Sequence, residues 1–251
     1  MSVFAILNYG IIALALIPTS LCLYYYMKTE LKEYLFVGMA FIFGIITVYI
    51  IAQPLPPSVL LFNQIESFSY VSVYFFFLLY AMRINWDQPP KIAYLGVLWY
   101  VIMIYFIFSY QPTSVNNEME VLFIKMKKTS NAPSIVGIYQ LNGVIISGKG
   151  FEFIYDLFRV YVFGLILYMY LTANLPLKTS KTMKLWGIWI VAVSVHLLVS
   201  LLQIGNSLGF WEIQIEFISL ITFLTLIIVA YIAIWHPEAF LITHTQLIRA
   251  F

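Results

Sequence analysis

Seven apolar runs, each close to the roughly 20 residues a helix needs to cross a bilayer, constrain this chain more than any other feature. They fall near residues 3–26, 34–52, 59–82, 92–110, 151–173, 185–208 and 213–236. Breakers and charges separate them: MKTELKE, the proline-rich QPLPPS, RINWDQPPK, the long stretch 111–150, NLPLKTSKTMK and the short GFWE turn. Of the ten prolines, only Pro18 falls inside a run. Hydrophobic residues make up 63% of the chain and charged residues 10%, against about 25% charged in a soluble domain. So little polar surface cannot cover a water-soluble fold. The expectation is an all-α membrane protein, a multi-pass seven-transmembrane helix bundle whose main partner is the lipid bilayer of the cell (cytoplasmic) membrane.

Orientation follows from the basic residues of short loops, because Lys and Arg resist translocation. Lys28, Lys32, Arg83, Lys91, Lys178, Lys181, Lys184 and Arg249 all fall on one side, which is read as cytoplasmic. The opposite side holds Lys125, Lys127, Lys128 and Lys149, within one long loop where the rule is weak. This places the N-terminus outside and the C-terminus in the cytoplasm. No basic region precedes the first apolar run, as expected of a first helix that is retained rather than cleaved. The outer loop 111–150 contains VGIYQLNGVIIS, where Asn142-Gly143 sits between β-branched and aromatic runs and predicts a β-hairpin, since both turn positions need φ > 0. Such a hairpin would form a small lid. Residues 237–251 read as a cytoplasmic amphipathic tail, with Phe240, His244, Leu247 and Phe251 on one helical face.

Ionisable groups are costly in hydrocarbon unless they are paired or face a wet cavity, so the few present are the main functional candidates. Asn63 and Glu66 share a face of the third run, roughly 6 to 10 Å below its outer edge at about 1.5 Å per residue. Asp156 and Arg159, preceded by Glu152, share a face of the fifth. Gln203 and Asn206 fall near the outer end of the sixth, and Glu212, Gln214 and Glu216 near the outer start of the seventh. Four helices thus place polar groups in the outer half, while the inner half is nearly all aliphatic and aromatic. Asn63, Glu66, Asp156, Arg159, Gln203, Asn206 and Glu216 are the candidate lining of an outward-facing ligand pocket. Ion pairs that only hold helices together, such as Arg159 with Asp156 or Glu66, are the alternative. Glu66, Asp156 and Glu216 outnumber Arg159, so a small polar or cationic ligand is the expected kind.

Several function classes are excluded. The near-neutral charge of +2 gives no sign of a nucleic-acid partner. One cysteine, Cys22, permits neither an internal disulfide nor a cysteine-based zinc site. His196 is the only histidine deep within a run, too few for a bis-histidine haem, and HPEAF lacks the ligands of a metal site. No run contains the lysine a retinal Schiff base requires, and no nucleophile elbow, HExxH helix or phosphate loop is present. No catalytic residues, metal or cofactor are expected, and the chain is not read as an enzyme.

YFFFLLYAMRINW leaving the third run, GKGFEFIYDLF entering the fifth, the compact sixth and seventh runs and the exit WHPEAFLITHTQLIRAF carry a resemblance at the level of pattern. Over residues 60–251 the chain resembles the N-terminal seven-transmembrane sensor region of prokaryotic histidine kinases and related archaeal signalling proteins. The resemblance implies a receptor-like bundle that senses an outside or membrane-borne signal and passes it to the cytoplasm. The sequence stops about 15 residues after the seventh run, so transmission is expected to need another membrane or cytoplasmic chain. Two other readings stay open: a non-catalytic subunit of a larger membrane complex, and a small-molecule or ion carrier. No discontinuous helix pair of the kind seen in secondary transporters is visible.

Overall fold

The computed structural model describes residues 3–52, 59–84, 91–109, 111–112, 138–141, 144–172, 180–208, 210 and 215–235. Seven helices are present among them: α1 Val3–Thr29, α2 Lys32–Ala52, α3 Val59–Ile84, α4 Lys91–Ser109, α5 Gly148–Thr172, α6 Ser180–Ser207 and α7 Ile215–Trp235. Long apolar runs become helices because a helix satisfies every interior backbone group within its own segment, which lipid cannot do. Among the described residues, five stretches are long and apolar enough to cross a membrane: Ile6–Thr29, Lys32–Ala52, Gln64–Arg83, Lys91–Ser109 and Phe217–Trp235. α6 adds a shorter apolar stretch, Ile190–Asn206, and α5 carries Asp156 and Arg159 within its sequence.

The helices carry large apolar residues outward and small or polar ones inward, as expected for a protein solvated by hydrocarbon. On α4, Leu95, Leu98, Val101, Ile102 and Tyr105 are exposed, whereas Ala93 and Met103 are buried. Ser69, Ser72 and Ser200 are wholly buried. Hydroxyls inside the helices bond back to the preceding turn: Thr19 Oγ1 donates to the Ala15 carbonyl at 2.7 Å and Thr47 Oγ1 to that of Phe43 at 2.9 Å.

Packing follows the order α7, α1, α2, α3, with α4 and α5 both against α3 and α6 against α5. Val71, Tyr74 and Leu78 of α3, Met103 of α4, Phe158 and Val162 of α5 and Val193 of α6 form one core. Cys22, Tyr34, Val229 and Ile232 form a second, joining α1, α2 and α7. Aromatic rings stitch α2 to α3: Phe43 stacks on Phe76 at 5.5 Å, and Phe41 meets Phe77 edge-on at 6.2 Å. Where α3, α4 and α5 meet, Gly96 is required by close approach. A methyl group there would stand 2.6 Å from Leu78 and 2.7 Å from Tyr161.

The turn from α1 to α2 is shorter than the connector MKTELKE predicts. α1 continues through Thr29, leaving only Glu30 and Leu31 between the helices. Glu30 turns the chain at φ 58°, with its N–H donating to the Tyr26 carbonyl at 2.7 Å. Glu33 therefore belongs to the first turn of α2, where a carboxylate favours the positive end of the helix dipole.

Outside the helices, β1 Gln111–Pro112, β2 Ile138–Leu141 and β3 Val144–Ser147 pair antiparallel in the order β1-β2-β3. Leu141 pairs with Val144. The expected turn residues, Asn142 and Gly143, lie outside the described residues, as do the tail 237–251 and most of 111–150. β3 runs directly into α5.

Candidate functional site

Arg159 is the centre around which the polar groups gather. It lies on α5 with 4% of its surface exposed, and a guanidinium so buried must find acceptors inside the protein. Its Nη1 donates to the Tyr70 hydroxyl at 3.2 Å and to Gln203 Oε1. The guanidinium carbon also stands 5.6 Å from the centroid of the Tyr74 ring, within cation–π range. The Tyr70 hydroxyl in turn donates to Asp156 Oδ1 at 3.1 Å. One phenol thus accepts from the cation and donates to the carboxylate. α3, α5 and α6 are tied together through it and through Gln203.

Helical spacing explains how short stretches supply this arrangement. Asp156 and Arg159 are three residues apart on α5, and Tyr70 and Tyr74 four apart on α3, so each pair shares a face. The two tyrosine rings meet edge-on at 5.1 Å. Tyr74 then meets Phe163 edge-on at 5.6 Å, and Phe163 stacks on the His196 imidazole at 5.5 Å and 18°. An aromatic row therefore leads from the charged centre to α6. His196 sits in it as a stacking partner, and its carbonyl accepts from Ser200 Oγ at 2.6 Å.

No family model, curated protein or solved structure matches the chain.

The geometry is accordingly the guide to the site. Of the residues expected from the sequence, the structure brings together Asp156, Arg159 and Gln203 by the bonds above. Glu66 is buried on α3, one turn before Tyr70, and Asn206 is partly buried on α6, three residues after Gln203. The side chains of Asn63, Glu152 and Glu216 lie outside the described residues, although their backbones are helical. Tyr70 and Tyr74 are additions that sequence reasoning misses. Their signal is the i, i+4 spacing continuing inward from Glu66, which a tyrosine in an apolar run masks because tyrosine is ordinary at membrane interfaces.

Not every polar group beside the centre is fully buried. Val193, His196, Ser200 and Gln203 recur at intervals of three and four, forming one stripe on α6. Val193 and Ser200 on this stripe are buried, which marks it as inward-facing, yet His196 and Gln203 keep part of their surface exposed. Tyr70 does so as well. The Arg159 Nε–H is buried with no acceptor among the described residues. No group of three or more potential metal ligands occurs among the described residues.

A second charged contact lies toward the other end of α3. Arg83 Nε donates to Glu33 Oε1 at 3.1 Å, with the Glu33 side chain buried and 49% of the Arg83 side chain exposed. It is roughly 20 Å along the helix from Tyr70, at about 1.5 Å per residue.

Proposed function

We propose that this chain is a receptor-like membrane sensor. In this reading seven helices span the cell membrane with the N-terminus outside, and a polar pocket in the outer half passes its signal to a cytoplasmic partner. The observation that carries it is the Tyr70 hydroxyl bonded to both Arg159 and Asp156, with Gln203 on the same arginine. Three helices that share an apolar core are also joined by a few hydrogen bonds beside partly exposed polar groups. A ligand that replaces one bond favours a different helix arrangement, and this differential affinity is what a sensor requires. The likeness in pattern to seven-transmembrane sensor regions supports the same reading, and the paired strands before α5 supply a lid.

The accessibility of Gln203 tests it. Cys22 is fully buried, so the native chain offers a silent thiol background. In Gln203→Cys, a membrane-impermeant thiol reagent added outside is expected to label the protein, and a small polar cation to slow labelling if the sequence-based ligand expectation holds. Labelling only from the cytoplasmic face, or none in folded protein, would overturn the outward pocket. A second reading, a non-catalytic subunit of a membrane complex, is favoured by the lack, among the described residues, of a packed face between α6 and α7. It predicts a stoichiometric membrane partner on co-purification.

A further inference from the structure

An aspartate three residues before an arginine on one helix can pair with it directly, with no help from another element. Asp156 and Arg159 of α5 are so spaced, yet a group from α3 stands between them. Arg159 Nη1 donates to the Tyr70 hydroxyl at 3.2 Å, and that hydroxyl donates to Asp156 Oδ1 at 3.1 Å. The Arg159 Nε–H is buried and has no acceptor among the described residues, so neither Asp156 oxygen takes it. A charged donor left this way in an apolar interior is unfavourable. The carboxylate that can relieve it is on the same face of α5.

The observed arrangement has its own compensation. Nη1 reaches two acceptors, Tyr70 and Gln203, and the guanidinium carbon stands 5.6 Å from the centroid of the Tyr74 ring. Direct pairing would instead satisfy Nε and release Tyr70 and Gln203. Burial decides what that release costs. Asp156 and Arg159 are 6% and 4% exposed, whereas Tyr70 and Gln203 keep part of their surface exposed, so the two groups that lose a bond are those least dependent on it. Hydrogen bonds between membrane helices are also individually weak, so exchanging them is a small step.

We propose, resting on the sensor reading above, that the polar centre is a two-state latch. In the bridged state Tyr70 and Gln203 hold α3 and α6 to α5 through Arg159. In the direct state an Asp156 oxygen accepts from Arg159 Nε–H and the Tyr70 hydroxyl withdraws. α6 then keeps only apolar contacts with α5, through the core that Val193 shares with Phe158 and Val162. The exchange moves no proton and swaps acceptors alone. It names the movement by which a signal leaves the site.

Electron-spin distance measurements on the whole chain in lipid nanodiscs test the latch, with nitroxides on Tyr49→Cys of α2 and Leu198→Cys of α6. Both positions are exposed and Cys22 is fully buried. Asp156→Asn removes the carboxylate that the direct state requires and is expected to keep the parent distance. Tyr70→Phe removes the spacer and is expected to shift the distance by about 2 Å or more, the scale of helix displacements in switching proteins. If Tyr70→Phe does not fold, Gln203→Leu, which removes the acceptor on α6, should give that shift. Both substitutions moving the distance together, or neither moving it, would overturn the latch. Melting temperature supplies a second readout: Asp156→Asn should lower it more in the Tyr70→Phe background than in the parent. In a network with the bridged state alone, that effect would vanish once the hydroxyl is gone, which also overturns the latch. Divergent distances without outside labelling of Gln203→Cys keep the latch and remove the outward pocket. Outside labelling without divergence does the reverse.

Discussion

Arg83, at the end of α3, reaches back to hold Glu33 in the first turn of α2 across 3.1 Å, one side chain half in solvent and the other buried. The pair is asymmetric: removing the arginine strands a buried carboxylate, whereas removing the glutamate leaves a cation that can turn to water. Arg83→Ala is therefore expected to lower stability by about 1–3 kcal/mol, less than for a fully buried pair because half of Arg83 meets solvent. Replacing both residues with leucine should recover much of the loss. Thermal unfolding in one detergent, compared across the three variants, checks this. A loss in the double variant at least equal to that in Arg83→Ala would show that the pair itself stabilises the fold.

Tyr70→Phe keeps the ring against Tyr74 and deletes only the hydroxyl that serves Arg159 and Asp156. Two charged groups each lose a partner in an apolar setting, so the expected destabilisation is about 1–3 kcal/mol. Tyr94→Phe, at an exposed position on α4, is the control and should stay within about 0.5 kcal/mol of the parent. Chemical denaturation of the purified protein compares them, and equal effects would mean that the Tyr70 hydroxyl is not structural.

Gly96→Ala forces a methyl group into Leu78 and Tyr161 where three helices meet. Overpacking of this kind costs about 1–3 kcal/mol. On α5, a methyl group added at Gly164 would meet nothing within 4 Å, so Gly164→Ala should be neutral or stabilising by up to about 1 kcal/mol through helix propensity. A lower melting temperature for Gly96→Ala and an equal or higher one for Gly164→Ala are the expected result.

The helical character of the chain was legible in the length of its apolar runs and the breakers between them, since hydrocarbon leaves few other backbone solutions. So was the placement of Asp156 and Arg159 on one face, because spacing within a helix follows from its pitch alone. Gln203 was found because an amide near the outer end of an apolar run falls at the same level as the polar groups of the other helices. Tyr70 and Tyr74 escaped notice because their role depends on which helix lies opposite α5, and helix neighbours are set by side-chain fit across elements rather than by local pattern. Glu33 reads as part of a connector because nothing in MKTELKE announces that a glutamate, Glu30, will take the left-handed conformation glycine usually supplies. That choice shortens the turn and draws Glu33 into the helix.

The two-residue link from α1 to α2 also limits how the molecule can move. With only Glu30 and Leu31 between them, the two helices have almost no slack at that end, and the Glu33 to Arg83 contact extends the restraint to α3. Sliding any one of the three along the membrane normal drags the others. In the sensor proposed above they are the stator, and displacement falls to α5 and α6, the helices that share the arginine's hydrogen bonds.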